Sequence, residues 1–183
     1  MPVVGRLRGW RLTTGVGVLA LAAVLVALIL TRGPDAPQTF GPWYPLTNQA
    51  GARASADFEN HVPCSIDNPP VADCQRVKLG IVLYGTPAAP STYLISIIRV
   101  GTGDNTRETH EGTWTVTRGT ALDPAATVYQ LDAFAPAHLR AFWPVSTEIL
   151  YLLDQTRMPR PGTAAYGYAL TNIPIGQTVQ PPG

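Results

Sequence analysis

Val77-Lys78-Leu79-Gly80-Ile81-Val82-Leu83-Tyr84 is followed, past Gly85-Thr86-Pro87, by Thr92-Tyr93-Leu94-Ile95-Ser96-Ile97-Ile98-Arg99-Val100. Val77, Leu79, Ile81 and Leu83 recur at every second position, the period of a strand that buries one face. Both stretches are rich in β-branched and aromatic residues, which suit a pleated, half-buried surface. The Gly and Pro between them turn the chain, so the pair reads as a hairpin. Working outward, Gly101-Thr102-Gly103-Asp104-Asn105 is the next turn, and residues 108–118 form a strand centred on Gly112-Thr113-Trp114-Thr115-Val116. Further strands are expected at 127–133, 139–143, 148–153 and 164–171, and one upstream at 56–62. About eight strands in sequential hairpins, with no amphipathic helix among them, predict a mainly β fold. The expected form is a small up-and-down antiparallel barrel over residues 53–173, because closure removes exposed edges.

Upstream, Leu12 to Thr31 are twenty uncharged residues between Arg11 and Arg32. At a helical rise of about 1.5 Å per residue they span about 30 Å, the hydrocarbon thickness of a bilayer. A cleaved signal peptide would show a shorter apolar run and a small-x-small site after it, whereas Thr31-Arg32-Gly33-Pro34-Asp35 follows. No Cys adjoins the run to carry a lipid. Residues 12–31 are therefore predicted to be a single transmembrane helix. Arg6, Arg8 and Arg11 precede it and Arg32 follows, which places residues 1–11 in the cytoplasm and the barrel outside. Gly17, Ala20, Ala23 and Ala27 share one face of this helix with Thr13, Val16, Val24 and Thr31. Small residues let helix backbones approach closely, so this face is a candidate packing surface for another membrane helix. Residues 32–52 form a Pro/Gly-rich linker, and 174–183 an extended C-terminal tail. Trp43 and Tyr44 are unusual in a spacer and are interface candidates, resting at the membrane surface, on a partner, or on the domain's own side.

Charge and composition exclude several function classes. Beyond the helix lie ten basic and twelve acidic residues with no basic run, a poor match to nucleic acid. His61, His110 and His138 are scattered, and His110-Glu111 lacks the second His that a zinc protease helix needs. No Ser sits in a G-x-S-x-G elbow, and Gly101-Thr102-Gly103-Asp104-Asn105-Thr106 lacks the last Gly of a dinucleotide loop. No catalytic residue, cofactor site or metal site is expected. Cys64 and Cys74 are the only cysteines. In an oxidising compartment a disulfide between them is the default. The alternative is a Cu(I) site formed by the two thiolates with His61 or Met158. Tyr93, Trp114, Tyr129, Tyr151, Tyr166 and Tyr168 either fill the barrel core or line a pocket for a small apolar ligand.

Val62-Pro63-Cys64, Ala72-Asp73-Cys74, Thr92-Tyr93-Leu94, Glu111-Gly112-Thr113-Trp114, Leu150-Tyr151-Leu152-Leu153-Asp154 and Tyr168-Ala169-Leu170 occur in that order. This series resembles the N-terminal domain of the NlpE-like copper-resistance and surface-sensing lipoproteins, over roughly residues 55–173. The resemblance implies a lipocalin-like β-barrel in the bacterial envelope. Two departures stand out. The family's close Cys pair is here Cys64-x9-Cys74, and its lipid-bearing Cys is replaced by the predicted transmembrane helix. Both remove what a metal- or lipoprotein-sensing role would use. The expected function is therefore a non-catalytic accessory subunit of a larger bacterial inner-membrane complex (respiratory, photosynthetic or secretory). It would contact that complex through its helix and its periplasmic domain, with the lipid bilayer around the helix. The alternatives are an NlpE-like sensor of envelope stress or copper and, further off, a carrier of small apolar ligands.

Overall fold

The computed structural model describes residues 42–103 and 106–175. The predicted cytoplasmic segment 1–11, the transmembrane helix 12–31 with Gly17, Ala20, Ala23 and Ala27, the first part of the linker and the tail from residue 176 lie outside the described residues. Among the described residues no helix is long and apolar enough to cross a membrane.

Eight strands follow one another in chain order: β1 (Ala54–Val62), β2 (Arg76–Thr86), β3 (Ala89–Val100), β4 (Arg107–Arg118), β5 (Thr127–Leu131), β6 (Ala141–Pro144), β7 (Ile149–Leu152) and β8 (Ala169–Asn172). Each pairs with the next, and β1 pairs antiparallel with β8 through Phe58↔Asn172 and Glu59↔Thr171, which closes the barrel. Closure gives every strand two neighbours and leaves no edge open to another chain. The order and number of strands agree with the sequence expectation.

The period-2 pattern of the opening hairpin becomes the inside of this barrel. Val77, Leu79, Ile81 and Leu83 of β2 and Tyr93, Ile95 and Ile97 of β3 are buried together with Phe58, Trp114, Phe142, Leu150, Leu152 and Leu170. The interior is a packed core, as expected of a barrel with eight strands. Gly85 has φ +80 where the β2–β3 register shifts. That backbone conformation is open to glycine and strained for other residues.

Several predicted strands end early because side chains intercept the backbone. Residues 127–133 were expected to be extended. Instead the Asp132 carboxylate accepts the N–H of Phe134 and turns the chain after Leu131. The run 164–168 is a turn held by Thr163, whose Oγ1 accepts the N–H groups of Ala165 and Tyr166. Such hydroxyl and carboxylate bonds compete with the ladder.

The two ends of the barrel differ. One carries the short turns β2–β3 and β6–β7. The other is plugged by long connections: 63–75, which begins with a 3-10 turn at Cys64–Ile66, 132–140 with a 3-10 turn at Ala137–Leu139, and 153–168. Ile66, Ala135, Leu139 and Tyr168 from these connections reach into the core.

The linker is corrected in its second half. Residues 43–52, assigned by sequence to a spacer, lie against the outer wall of β1, β2 and β3. Tyr44 packs with Val82, Tyr84 and Leu94, with Trp43, Ala52 and Ala54 around them. The Asn48 amide donates to Ser91 Oγ and Thr92 Oγ1 while its own oxygen accepts the N–H of Ala52. Burying an aromatic side chain and satisfying these groups outweighs the freedom of an extended spacer.

Candidate functional site

The most organised polar feature outside the core lies under this strap. Outward-facing positions of β2 and β3 should meet water, yet Val82, Tyr84 and Leu94 are buried because Tyr44 covers them. Tyr84 Oη donates to the Pro45 carbonyl at 2.8 Å. The Trp43 indole sits over Gly80, where a Cβ would come within 2.9 Å of its ring. Its Nε1 donates to Glu59 Oε1, and the Arg107 guanidinium lies 5.1 Å from its ring centroid, a cation–π contact. Glu59 is also 3.6 Å from Lys78 Nζ.

Asp57 lies in the same layer, two residues before Glu59, and is only 3% exposed. Its Oδ1 accepts no hydrogen bond. Burial, then the neighbouring Glu59 charge, pushes its carboxyl up to about 7, against the opposing influence of the Tyr44 hydroxyl and Lys78. Burial and the Asp57 charge together raise the Tyr44 phenol well above its ordinary value. Tyr84 is raised by burial and then by Glu111 and Asp57.

A second polar cluster closes the plugged end. Arg99, Glu108 and His110 occupy inward positions of β3 and β4. Arg99 grips Asp67 with two hydrogen bonds, of 2.8 and 2.9 Å, and Glu108 with a third of 2.6 Å; Glu108 Oε1 lies 2.7 Å from His110 Nε2. The Arg99 bond holds the Glu108 carboxyl below its ordinary range. Cys64 and Cys74 are joined by a disulfide, with Cα atoms 6.0 Å apart, at the base of the connection that carries Asp67. The bonded sulfurs leave no thiolate for Cu(I). Among the described residues no three His, Cys, Asp or Glu side chains come together as a metal site. His61 and His138 both have their pKa lowered, chiefly by burial.

Two hollows remain. At the short-turn end, Ala56, Phe58, Leu83, Trp114 and Tyr129 line a cavity of about 280 Å³, rimmed by Thr86, Thr147 and Asn172. Burial raises the Tyr129 phenol there. On the outer wall a cleft of about 380 Å³ lies between the strap's turn at Asn48, Gln49 and Ala50 and the β5–β6 connection at Asp132 and Phe134. Phe134, on its bank, is 76% exposed. Behind it, Tyr93 Oη donates to Asp132 Oδ1, and the other Asp132 oxygen accepts from the N–H and Oγ1 of Thr113.

The structure thus separates the residues singled out from sequence. Trp43 and Tyr44, interface candidates, rest on the barrel's own wall. Trp114 and Tyr93 fill the core, and Tyr129 reaches the cavity. Asp57, Glu59 and Phe134 escaped sequence reading. One signal for the first two was present: Ile81-Val82-Leu83-Tyr84 is apolar on both faces, which requires a cover on the outside as well. No family model, curated protein or solved structure matches this chain.

Proposed function

We propose that the chain is a non-catalytic interaction module, an accessory subunit that residues 12–31 anchor in a bacterial inner membrane with the barrel outside the cytoplasm. Most of the barrel interior is occupied by side chains, apart from the cavity at the short-turn end, and the charged groups at the plugged end are spent on one another. What faces outward for contact is the cleft of about 380 Å³. The observation that carries the reading is Phe134, a large apolar side chain 76% exposed on the bank of that cleft. Exposed apolar surface rimmed by polar groups marks interaction sites. The small-residue face of the predicted helix supplies a second contact within the membrane.

Gentle solubilisation of membranes, followed by sizing and mass spectrometry, tests this. Phe134→Asp and, independently, Ala23→Leu and Ala27→Leu should release the protein from a defined complex. Ala22→Leu and Val26→Leu, on the other helix face, should leave it there. A wild-type protein that always migrates alone would end the proposal.

A second reading, a carrier of small apolar ligands, is favoured by the cavity lined by Phe58, Leu83, Trp114 and Tyr129. Quenching of Trp114 fluorescence by a titrated fatty acid, abolished by Ala56→Trp, would support it; no response up to the solubility limit would dismiss it.

A further inference from the structure

We propose that Trp43-Tyr44-Pro45 is an acid-locked strap, docked on the barrel wall while Asp57 holds a proton and released when Asp57 gives it up. Release would uncover Val82, Tyr84 and Leu94 and lengthen the tether between the barrel and whatever precedes it. The inference needs no partner and stands apart from the accessory-subunit reading.

The geometry comes first. Asp57 faces outward from β1, where a carboxylate would ordinarily meet water, but Tyr44 closes over it and it is 3% exposed. One oxygen has no hydrogen bond at all. A buried ionised carboxylate with an unsatisfied oxygen costs far more than its neutral form. The groups facing Asp57 relieve it only in part. Glu59 on its own strand carries the same charge. Lys78 on β2 is half exposed and engaged with Glu59 at 3.6 Å. Tyr84 on β2 gives its hydroxyl to Pro45. Tyr44 on the strap is the one group turned to it that favours the charged form besides Lys78. Arg107 of β4 lies against Trp43. Undocking the strap hydrates the carboxylate, so ionisation and docking compete for the same layer.

The two carboxylates of this layer differ in their partners. Glu59 accepts from the Trp43 indole and faces Lys78, whereas Asp57 is buried with one oxygen unsatisfied, which favours its neutral form. Its carboxyl is pushed up to about 7, from an ordinary 3.8, by burial and then by Glu59. The sign follows from linkage. The docked form holds the proton more tightly than the released form, so docking is strongest below the ordinary aspartate range. It weakens as pH rises and reaches its minimum above about 7.

The test uses the full chain in lipid nanodiscs and follows the Trp43 indole Nε1–H resonance, assigned with Trp43→Phe, from pH 4 to pH 8. Hydrogen exchange over residues 43–53, corrected for intrinsic rates, is read alongside. In the wild type the resonance should move toward a solvent-exposed indole as pH rises between the ordinary aspartate value of 3.8 and about 7, with protection lost in parallel. Asp57→Asn should remain docked throughout. Glu59→Gln, which keeps the acceptor for the indole but removes the like charge, eases ionisation of the docked form and should keep the strap docked to higher pH. Tyr44→Phe, which loses the hydroxyl that favours the charged carboxylate, should release the strap at lower pH. A wild-type resonance unchanged over this range, an Asp57→Asn protein that titrates like the wild type, or identical midpoints in the Glu59 and Tyr44 variants would each overturn the proposal.

Discussion

Gly80 is the seat of Trp43: a Cβ built on this outward-facing residue of β2 would lie 2.9 Å from Cζ2 of the indole. A strand interior is a poor place for glycine on entropic grounds. Here the missing side chain lets the indole lie close against the strand and reach Glu59 and Arg107 at once.

Gly80→Ala should therefore loosen the strap without touching the core. The conformational gain from replacing glycine offsets part of the clash, leaving a net loss of about 1 kcal/mol. Far-ultraviolet circular dichroism should be unchanged, while hydrogen exchange over residues 43–53 accelerates. Equal protection in variant and wild type would show that the indole finds another seat.

Gly112 plays a comparable part elsewhere. A Cβ there would crowd the Asp132 carboxylate and come within 2.7 Å of the Tyr93 hydroxyl. Gly112→Ala should break the Tyr93–Asp132 hydrogen bond and cost about 2 kcal/mol in urea unfolding. Tyr93→Phe, which removes the same bond without the clash, should cost about 1 kcal/mol. A larger loss from the second variant than from the first would contradict this account.

Arg99 ties the 63–75 connection to the barrel wall. Removing it in Arg99→Ala leaves Asp67 and Glu108 facing each other's charge in a partly buried end. The expected loss is about 2 kcal/mol, less than for a fully buried pair because water reaches Glu108. Glu108 is held below its ordinary range, first by the Arg99 bond, so its contribution is present above the ordinary glutamate value and lost as pH falls through the folded one. Urea midpoints measured between pH 7 and pH 3 should fall more steeply for the wild type than for Glu108→Gln. Parallel profiles would remove Glu108 from the acid response.

The Cys64–Cys74 bond closes a short loop at the base of the same connection. Cys64→Ser should lower stability by roughly 2–3 kcal/mol, the chain-entropy value for a loop of this size. Thiol-alkylating reagents should label neither cysteine in the unreduced, denatured protein. Labelling of both would mean that the bond does not form in solution.

Much of the architecture was legible in the residues alone. Val77, Leu79, Ile81 and Leu83 alternate with a period that only a strand satisfies, and the Gly- and Pro-bearing turns divide the chain into hairpins. The lone Cys pair made a bond between them the default expectation, and the bond is present. These are local or compositional properties, set by covalent geometry and by the number of partners available. The candidate sites depend on other information. Asp57, Trp43 and Gly80 are far enough apart in the chain that no periodicity relates them, and β1, β2 and the strap meet only after the barrel has closed. Asp132 reads as one more strand residue until Tyr93 and Thr113 are brought against it. Burial, unlike alternation, is a property of what covers a residue, so the tertiary structure alone determined which carboxylate stays hydrated and which is left dry.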